Sequence, residues 1–270
     1  MQENTINKIK LFFNWIFPAI AQDKDKLTET NTTLLSENVQ EKPSMVLEIK
    51  NISQVYKTAA GNVIALKNVS FSIPKGQFVS IVGPSGSGKS TLLNMIGALD
   101  RPTKGVIVFE GINIQTLSDN TIANFRNKKI GFIFQSFNLI NRSSVQKNVE
   151  IPGIISGMNP DVRKKRALSI LKLMGILNKA KLKPINLSGG EQQRVAIGRA
   201  LINNPSMILA DEPTGNLDTK TGAEIFELLS QLSKKYHRTV LMITHNPDLA
   251  KRTERSIYMK DGMVEKDVYN

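Results

Sequence analysis

The sequence contains no cysteine and only two histidines among its 270 residues. The absence of cysteine excludes disulfide frameworks, thiolate metal sites and cysteine nucleophiles, and it fits a reducing compartment. A metal site built from several histidines is excluded as well. No run of residues approaches the ~20 consecutive apolar side chains that a membrane-spanning helix needs. Any role in moving a molecule across a membrane would therefore require a partner chain.

Acidic residues are scarce relative to basic ones. The chain carries 36 Lys and Arg against 23 Asp and Glu, which gives a formal net charge of +13. Such an excess is typical of proteins that bind nucleic acid, but it also favours contact with an anionic membrane leaflet. The charge by itself leaves both interpretations open.

Residues 1–44 differ in composition from the rest of the chain. Over residues 5–20 apolar side chains recur at spacings of three and four, which predicts an amphipathic helix. They include Ile6, Ile9, Phe13, Ile16 and Ile20. Three interpretations stay open: a helix that docks on a membrane surface or a partner, a weakly ordered extension, and a signal peptide. The last rests on Lys8 and Lys10 before an apolar run that ends in Ala19-Ile20-Ala21.

The stretch that follows predicts a disordered linker. Residues 22–44 are polar, mixed in charge and free of aromatic side chains. Pro18 would kink or end the preceding helix. We therefore expect a folded domain over residues 45–270.

Within that domain, short apolar runs alternate with helical patterns, which predicts an α/β fold with a mostly parallel core sheet. Four runs are nearly all apolar and end in a glycine or a polar residue: "FVSIVG" (78–83), "IGFIFQ" (130–135), "SMILADE" (206–212) and "VLMITH" (240–245). In an open parallel sheet, ligands bind at the carboxyl ends of the strands. Residues 144–180 have a helical pattern and predict an inserted helical subdomain.

"GPSGSGKST" (83–91) matches the P-loop pattern Gly-x4-Gly-Lys-Ser and lies between a predicted strand and a predicted helix. Glycines let backbone N–H groups surround a phosphate, Lys89 can neutralise its outer oxygens, and the Ser90 hydroxyl can bind Mg²⁺. The pattern predicts a nucleotide phosphate site. Its candidate residues are Gly83, Ser85, Gly86, Ser87, Gly88, Lys89, Ser90 and Thr91.

The other strand ends supply groups that act on a phosphate. Asp211 suits a Mg²⁺ partner, and Glu212 is placed to orient and deprotonate an attacking water. Gln135 can reach the metal or a water, and His245 can hydrogen-bond a γ-phosphate. His237 lies in a polar stretch and is expected to be a surface residue without a role.

A second anion-binding feature lies at "LSGGE" (187–191). Ser188 and Glu191 form the Ser-x-x-Glu pattern of a helix capping box. That pattern leaves Gly189 and Gly190 unexplained, because glycine in a first helical turn costs up to ~1 kcal/mol per residue relative to alanine. We interpret the two glycines as making room for a ligand that approaches the backbone N–H groups.

From Val46 to Val264 the sequence resembles the ATP-binding cassette (ABC) ATPases, in the motifs "LSGGEQQRVAIGRAL" and "DEPTGNLD" and in the order of the P-loop, Gln135, the acidic strand and His245. The resemblance implies ATP and Mg²⁺ as cofactors, an added antiparallel β subdomain and a helical subdomain over about 136–190. It implies that Tyr56 stacks on adenine and that Gln135 senses a membrane partner.

The same resemblance implies a role for the second anion-binding feature. It implies that Ser188, Gly189, Gly190 and Glu191 cap the ATP held by a second subunit in a head-to-tail homodimer. It also assigns Asp218 to the loop that crosses to that subunit. The implied metal ligands are Ser90, Gln135 and Asp211, and the implied catalytic groups are Glu212, His245 and Gln135.

Finer motifs resemble the branch of lipoprotein-release, macrolide-export and cell-division ATPases. They are "GALDRPTKG" (97–105), "FIFQSFNLI" (132–140) and "NVEIP" (148–152). The branch implies an integral-membrane permease as partner and a peripheral location on the cytoplasmic face of the cell membrane. The extension over 1–44 and "NRSSVQ" (141–146) depart from the branch pattern.

Two other functions compete with a role in transport. A soluble ATPase acting on nucleic acid or ribosomes would suit the net charge, but this chain has one cassette, no cysteine and no heptad repeat. Nucleic acid is therefore not expected as a partner. A nucleotide-binding scaffold without hydrolysis is disfavoured, because each catalytic position holds a competent residue.

Overall fold

The computed structural model describes residues 44–59 and 61–270. The helix expected over 5–20 and nearly all of the linker expected over 22–44 lie outside the described residues. None of the described helices is both long enough and apolar enough to cross a membrane.

Two sheets organise the described residues. Their strands in chain order are β1 (Met45–Thr58), β2 (Gly61–Pro74), β3 (Phe78–Val82), β4 (Lys104–Phe109), β5 (Ile112–Asn113), β6 (Ile130–Ile133), β7 (Met207–Asp211), β8 (Thr239–Thr244), β9 (Arg255–Lys260) and β10 (Met263–Tyr269). The smaller sheet has the order β2-β1-β4-β5 and is antiparallel throughout.

The larger sheet has the order β10-β9-β3-β8-β7-β6. All neighbouring pairs run parallel except β9 and β10 at one edge. The four apolar runs form the consecutive strands β3, β8, β7 and β6 of this sheet, with β6 at its edge. The run over 130–135 is a strand only as far as Ile133, so Phe134 and Gln135 belong to the loop that follows.

The helices are α1 (Lys89–Ile96), α2 (Asp119–Lys129), α3 (Val145–Ile155), α4 (Pro160–Leu173), α5 (Gly189–Leu201), α6 (Thr219–Lys234) and α7 (Pro247–Ala250). Helices α3 and α4 lie between β6 and β7 in the chain and form the inserted helical subdomain. Helix α5 packs against both α3 and β6, so it connects that subdomain to the core sheet.

The core sheet is covered on both faces, which explains why its strands are almost uniformly apolar. Side chains alternate along β8: Leu241 and Ile243 join one buried cluster with the antiparallel sheet and α1. Val240 and Met242 join a second cluster with helices α3, α4, α5 and α6. The two faces therefore have separate hydrophobic cores.

A buried carboxylate ties α3 to α4. Glu150 is 1% exposed, and its Oε2 accepts hydrogen bonds from Lys147 Nζ at 3.2 Å and Arg163 Nε at 3.3 Å. Burial alone would raise the pKa of this carboxyl, but hydrogen bonds from Gln146, Lys147 and Arg163 hold it below its usual value. The charged network fixes the hairpin formed by the two helices.

Candidate functional site

The P-loop (83–91) connects β3 to α1, and two of its glycines are required by close packing. A Cβ at Gly83 would lie 2.2 Å from the Met259 carbonyl oxygen. Gly88 has a φ of +95°, and a Cβ there would lie 2.5 Å from the Ala65 carbonyl oxygen. Strands β9 and β2 thus press directly on the loop backbone, which only glycine tolerates at these positions.

The P-loop lines a cavity of about 420 Å³. Val63, Ile64 and Ala65 of β2 form one wall, and Glu212 and His245 form another. The remaining lining residues are Gly83, Ser85, Gly86, Gly88, Lys89, Ser90 and Thr91. The backbone N–H groups at the start of α1 and a lysine therefore share one pocket, which suits a polyphosphate.

The Lys89 side chain is held by backbone carbonyl groups of the P-loop. Its Nζ donates to the carbonyl oxygens of Gly83 at 2.9 Å and Pro84 at 2.6 Å. Burial lowers the pKa of the ammonium group, while the charges of Glu212 and Asp211 oppose that shift. The cation is thus positioned between the loop and the acidic strand end.

Asp211 and Glu212 stand at the carboxyl end of β7. Burial, followed by the charge of Glu212, raises the pKa of the Asp211 carboxyl, and Lys89 partly opposes the shift. Glu212 has a φ of +44°, a strained conformation for a residue with a side chain, and its N–H donates to the Ile243 carbonyl at 3.1 Å. Such strain is commonly found at functional sites.

His245 follows β8 and meets Glu212. His245 Nδ1 lies 3.2 Å from Glu212 Oε2. The structure thus brings the ends of β3, β7 and β8 to one cavity. The other histidine, His237, is exposed in the turn before β8.

At LSGGE (187–191), both hydrogen bonds of the expected capping box are present. Glu191 N donates to Ser188 Oγ at 3.4 Å, and Ser188 N donates to Glu191 Oε2 at 3.1 Å. Glu191 Oε1 also accepts from Lys179 Nζ, which lowers the pKa of the Glu191 carboxyl. None of these residues lines the P-loop cavity, so the start of α5 faces elsewhere on the surface.

The structure changes the explanation of the two glycines. A Cβ at Gly190 would lie 2.3 Å from Thr221 Cγ2 of α6, so packing within the chain already requires glycine there. A Cβ at Gly189 would lie 3.2 Å from Leu217 Cδ2, the end of a side chain that can shift, and 3.7 Å from Phe137 Cζ, an ordinary contact distance. A ligand is therefore not needed to explain Gly190, because helix α6 already accounts for it, and close approach of a ligand to these glycines stays a prediction.

Comparison with known proteins connects this geometry to a family. The ABC transporter family model matches residues 66–215. The uncharacterized ABC transporter ATP-binding protein MJ0796 of Methanocaldococcus jannaschii is 49% identical over 226 residues, which cover 82% of this chain and 96% of that protein. The chain belongs to the ABC transporter family.

Further relatives agree with this assignment. The macrolide export ATP-binding/permease protein MacB of Chlorobaculum tepidum is 46% identical over 82% of this chain and 34% of its own length. The dimeric structure of the MJ0796 cassette superposes with a TM-score of 0.76 at 48% identity, covering 83% of this chain and 98% of that one. A second MJ0796 structure is described as a post-hydrolysis dimer bound to ADP and Pi, with the same TM-score of 0.76. This ABC ATPase therefore binds and hydrolyses ATP.

In the ABC ATPase, Gln135 does not line the P-loop cavity. It lies in the segment 134–139, here named the glutamine loop, and its Nε2 donates to Asn216 Oδ1 at 3.2 Å. Asn216 Nδ2 donates back to the Gln135 carbonyl at 3.0 Å. Asn216 belongs to residues 212–218, here named the acidic loop, which begins with Glu212. Gln135 is thus joined to the cavity through that loop.

Two further expected site residues have partners of their own within the chain. Tyr56 lies opposite Val63 in the β1–β2 register, and its hydroxyl donates to Asp100 Oδ2 at 3.1 Å. Asp218 is the N-cap of α6, where Oδ1 accepts from Thr221 N at 3.0 Å. Hydrogen bonds at Thr221 lower the pKa of this carboxyl. Neither residue lines the cavity.

Sequence reasoning missed several residues that shape the site. The wall formed by Val63, Ile64 and Ala65 carried no signal, because exposed apolar residues in an edge hairpin resemble ordinary strand residues. Asn216 stood inside the motif "DEPTGNLD" but received no role. The buried Gln193 Nε2 donates to the Pro213 carbonyl at 2.7 Å, which attaches α5 to the acidic loop.

The donors around the cavity fit Mg²⁺ bound together with a nucleotide. Among the residues that the structure describes, no group of three or more His, Cys, Asp or Glu side chains could hold a metal ion. Ser90 lines the cavity, whereas Asp211 does not line it but lies close enough to interact with Lys89. Both offer hard oxygen ligands, and Mg²⁺ commonly takes one or two such ligands plus phosphate oxygens and water. The donor set suits a metal that arrives with the nucleotide.

Proposed function

We propose that the chain is the ATP-hydrolysing subunit of an export-type ABC complex, which closes head-to-tail around two ATP molecules and drives a separate integral-membrane permease. The observation that carries the proposal is the separation of two anion-binding features. The P-loop lines the cavity with Glu212 and His245, whereas the α5 N-terminus at Ser188 lies outside it. A second copy of the chain can bring its own α5 N-terminus to the open cavity.

In the proposed mechanism the P-loop and Lys89 bind the β- and γ-phosphates. Mg²⁺ would be held by Ser90 and Asp211 together with phosphate oxygens, and it would supply positive charge against the charge that develops during phosphoryl transfer. Glu212 orients the attacking water and accepts its proton. His245, whose Nδ1 faces Glu212 at 3.2 Å, can direct its other ring nitrogen to the γ-phosphate.

In this proposal the β1–β2 hairpin binds adenine. Val63 lines the cavity and Tyr56 is its cross-strand neighbour, so both side chains share one face. Tyr56 is 36% exposed, which leaves its ring accessible for stacking on a base. Ser188, Gly189, Gly190 and Glu191 would cap the ATP of the partner subunit, with Asp218 beside the same interface.

The dimeric arrangement is supported by relatives. The MJ0796 cassette has been solved as a dimer, and another of its structures is described as a dimer bound to ADP and Pi. The MJ0796 cassette is 48% identical over 83% of this chain, and we propose the same mode of assembly here.

The permease partner is supported by both a relative and a surface. MacB of Chlorobaculum tepidum is named as an ATP-binding and permease protein in one chain, of which this chain matches 34%. Here the corresponding permease would be a separate protein at the cytoplasmic face of the membrane. An apolar groove of about 390 Å³ lies between α2, β6, α3 and α5 and is lined by Phe132, Phe134, Pro152 and Ile155. We assign this groove to a cytoplasmic segment of the permease.

The groove is connected to the nucleotide cavity. Phe134 and Asn138 of the glutamine loop line it, and Arg199 donates to the carbonyls of Phe137, at 2.8 Å, and Asn138. Gln135 lies between these residues and hydrogen-bonds the acidic loop. Movement of a segment in the groove can therefore reach Glu212 through Gln135 and Asn216.

The proposal is tested by Ser188→Arg in the full chain, with dimerisation measured by size-exclusion chromatography in the presence of ATP. The arginine places bulk and charge where the partner's phosphate would lie, so the variant should bind ATP as a monomer and fail to dimerise. Ser118 is also an exposed helix N-cap, with its Oγ accepting from Thr121 N. Ser118→Arg is the matched control and should still dimerise. A Ser188→Arg protein that dimerises with ATP would overturn the shared site.

A further inference from the structure

The turn between α3 and α4 presents apolar side chains to solvent. We name residues 154–162 the α3–α4 tip. Ile154, Ile155 and Val162 are 49%, 66% and 48% exposed. Packing among the described residues does not explain three exposed aliphatic side chains on one surface turn, and exposed apolar groups of this kind often mark a contact surface.

The tip is held rigidly. Arg163 Nη1 donates to the Met158 carbonyl at 2.9 Å, and Arg163 Nε meets the buried Glu150 at 3.3 Å. A Cβ at Gly153 would lie 3.2 Å from the Arg163 side chain, so the two helices pack closely just below the tip. The apolar side chains are therefore presented in a fixed arrangement.

Basic residues flank the tip on two sides. Over residues 154–172 the chain has five Lys and Arg against a single acid, Asp161. Lys164 and Lys165 are exposed on the first turns of α4. On the other side, Lys128 lines a cavity of about 450 Å³ together with Ser156 and Met158 of the tip. Among the residues that the structure describes, no Asp or Glu lines that cavity.

The placement of the tip relative to the membrane depends on the groove assigned above to the permease, so this inference rests on the proposed function. Ile155 belongs to the tip and also lines the groove, and Asn203 lines both the groove and the cavity beside Lys128. The tip is thus continuous with the face that meets the permease. With the permease docked in that groove, the tip would face the cytoplasmic leaflet.

We propose that the α3–α4 tip binds the anionic headgroups of that leaflet next to the permease. Ile154 and Val162 enter the interfacial layer, and Lys164, Lys165 and Lys128 lie among the lipid phosphates. Apolar side chains rimmed by lysines match an anionic lipid surface, because basic residues near such a surface are attracted by its potential while aliphatic groups leave water. A neutral bilayer or an acidic protein would satisfy only part of this chemistry.

The test measures binding of the full chain to vesicles of phosphatidylcholine alone and of an equimolar mixture with phosphatidylglycerol. The double variant K164E/K165E should lower the partition coefficient on mixed vesicles by about tenfold or more, since each lysine contributes strongly near an anionic surface. The double variant I154S/V162S should also lower it, and by a factor that changes less with salt. ATPase activity in solution should stay at the wild-type level in both.

The control is K234E/K235E, which reverses two exposed lysines at the end of α6. It makes the same change in net charge and leaves residues 1–43 unchanged. It should bind mixed vesicles nearly as well as wild type. Equal loss of vesicle binding in the two charge-reversal variants, or no loss in K164E/K165E, would overturn the proposal. It would also be overturned if K164E/K165E lost binding to RNA while keeping its binding to vesicles. ATP-driven dimerisation is measured in parallel: its absence in wild type would count against the proposed function, whereas unchanged vesicle binding in K164E/K165E counts against the tip alone.

Discussion

Gln135 and Asn216 hydrogen-bond each other twice. Gln135 Nε2 donates to Asn216 Oδ1 at 3.2 Å, and Asn216 Nδ2 donates to the Gln135 carbonyl at 3.0 Å. The pair joins the glutamine loop, which borders the apolar groove, to the acidic loop that begins at Glu212. A Cβ at Gly215 would lie 2.7 Å from Gln135 Nε2, so the two loops are packed as well as hydrogen-bonded.

We expect Gln135→Ala and Asn216→Ala to lower kcat by similar factors and the double variant to be no worse than the more damaged single. The reason is that residues sharing one contact are not additive. Steady-state ATPase assays of the four proteins of the cycle measure this. Gln231→Ala removes a surface hydrogen bond to Glu227 on α6 and is the control, since it should combine additively with Gln135→Ala. Full additivity of Gln135→Ala with Asn216→Ala would argue against coupling of the loops.

Glu212→Gln should lower turnover by about 10²–10⁴-fold, the range typical for loss of a general base. The amide keeps the size of the side chain, so ATP binding should survive and the ATP-bound dimer should accumulate in size-exclusion chromatography. Glu224→Gln alters an exposed glutamate that pairs with Arg194 and should leave turnover near wild type. Near-normal hydrolysis by Glu212→Gln would show that another group activates the water.

Gly190→Ala should destabilise the protein by about 1–3 kcal/mol, the usual cost of overpacking. The new methyl group would lie 2.3 Å from Thr221 Cγ2. Thr221→Ser removes that carbon, so the pair Gly190→Ala with Thr221→Ser should regain stability in thermal unfolding. ATP-driven dimerisation should return with it, because the Cβ points toward α6. A stable double variant that fails to dimerise would instead support close approach of a ligand at Gly190.

Asp211→Asn should raise the thermal stability of the nucleotide-free protein at neutral pH. Burial and the charge of Glu212 raise the pKa of Asp211 in the folded protein, so its ionised form disfavours folding. The contribution of protonated Asp211 to the free energy of unfolding is fully present below the unfolded pKa of about 3.9. It is lost as pH rises through the higher pKa of the folded protein. The Tm advantage of Asp211→Asn should therefore shrink on acidification towards pH about 4. An advantage that grew at low pH would reverse the assigned sign.

Much of the site could be predicted from sequence because its chemistry lies at strand ends. The runs that end at Val82, Asp211 and Thr244 are apolar and short, and the parallel arrangement brings their carboxyl ends to one edge. The P-loop, Glu212 and His245 do meet at one cavity for that reason. The capping box at Ser188 was equally local, since it depends on a spacing of three residues within one helical turn.

Contacts between distant segments could not be predicted in this way. Gly190 against Thr221, Gln135 against Asn216 and Gln193 against the Pro213 carbonyl each join residues at least 20 positions apart. No spacing rule links such residues, because their distance depends on how helices and loops pack. The wall contributed by β2 was missed for the same reason.

Local periodicity and short motifs were enough to predict the strands, the phosphate loop, the carboxylate next to it and the capped start of α5. Tertiary packing was needed to show that this capped start lies away from the chain's own cavity. The contact of Gly190 with Thr221 and the hydrogen bonds between the glutamine loop and the acidic loop also depend on that packing. These outcomes depend on the packing of α5 and α6 against the core sheet, which local sequence does not encode.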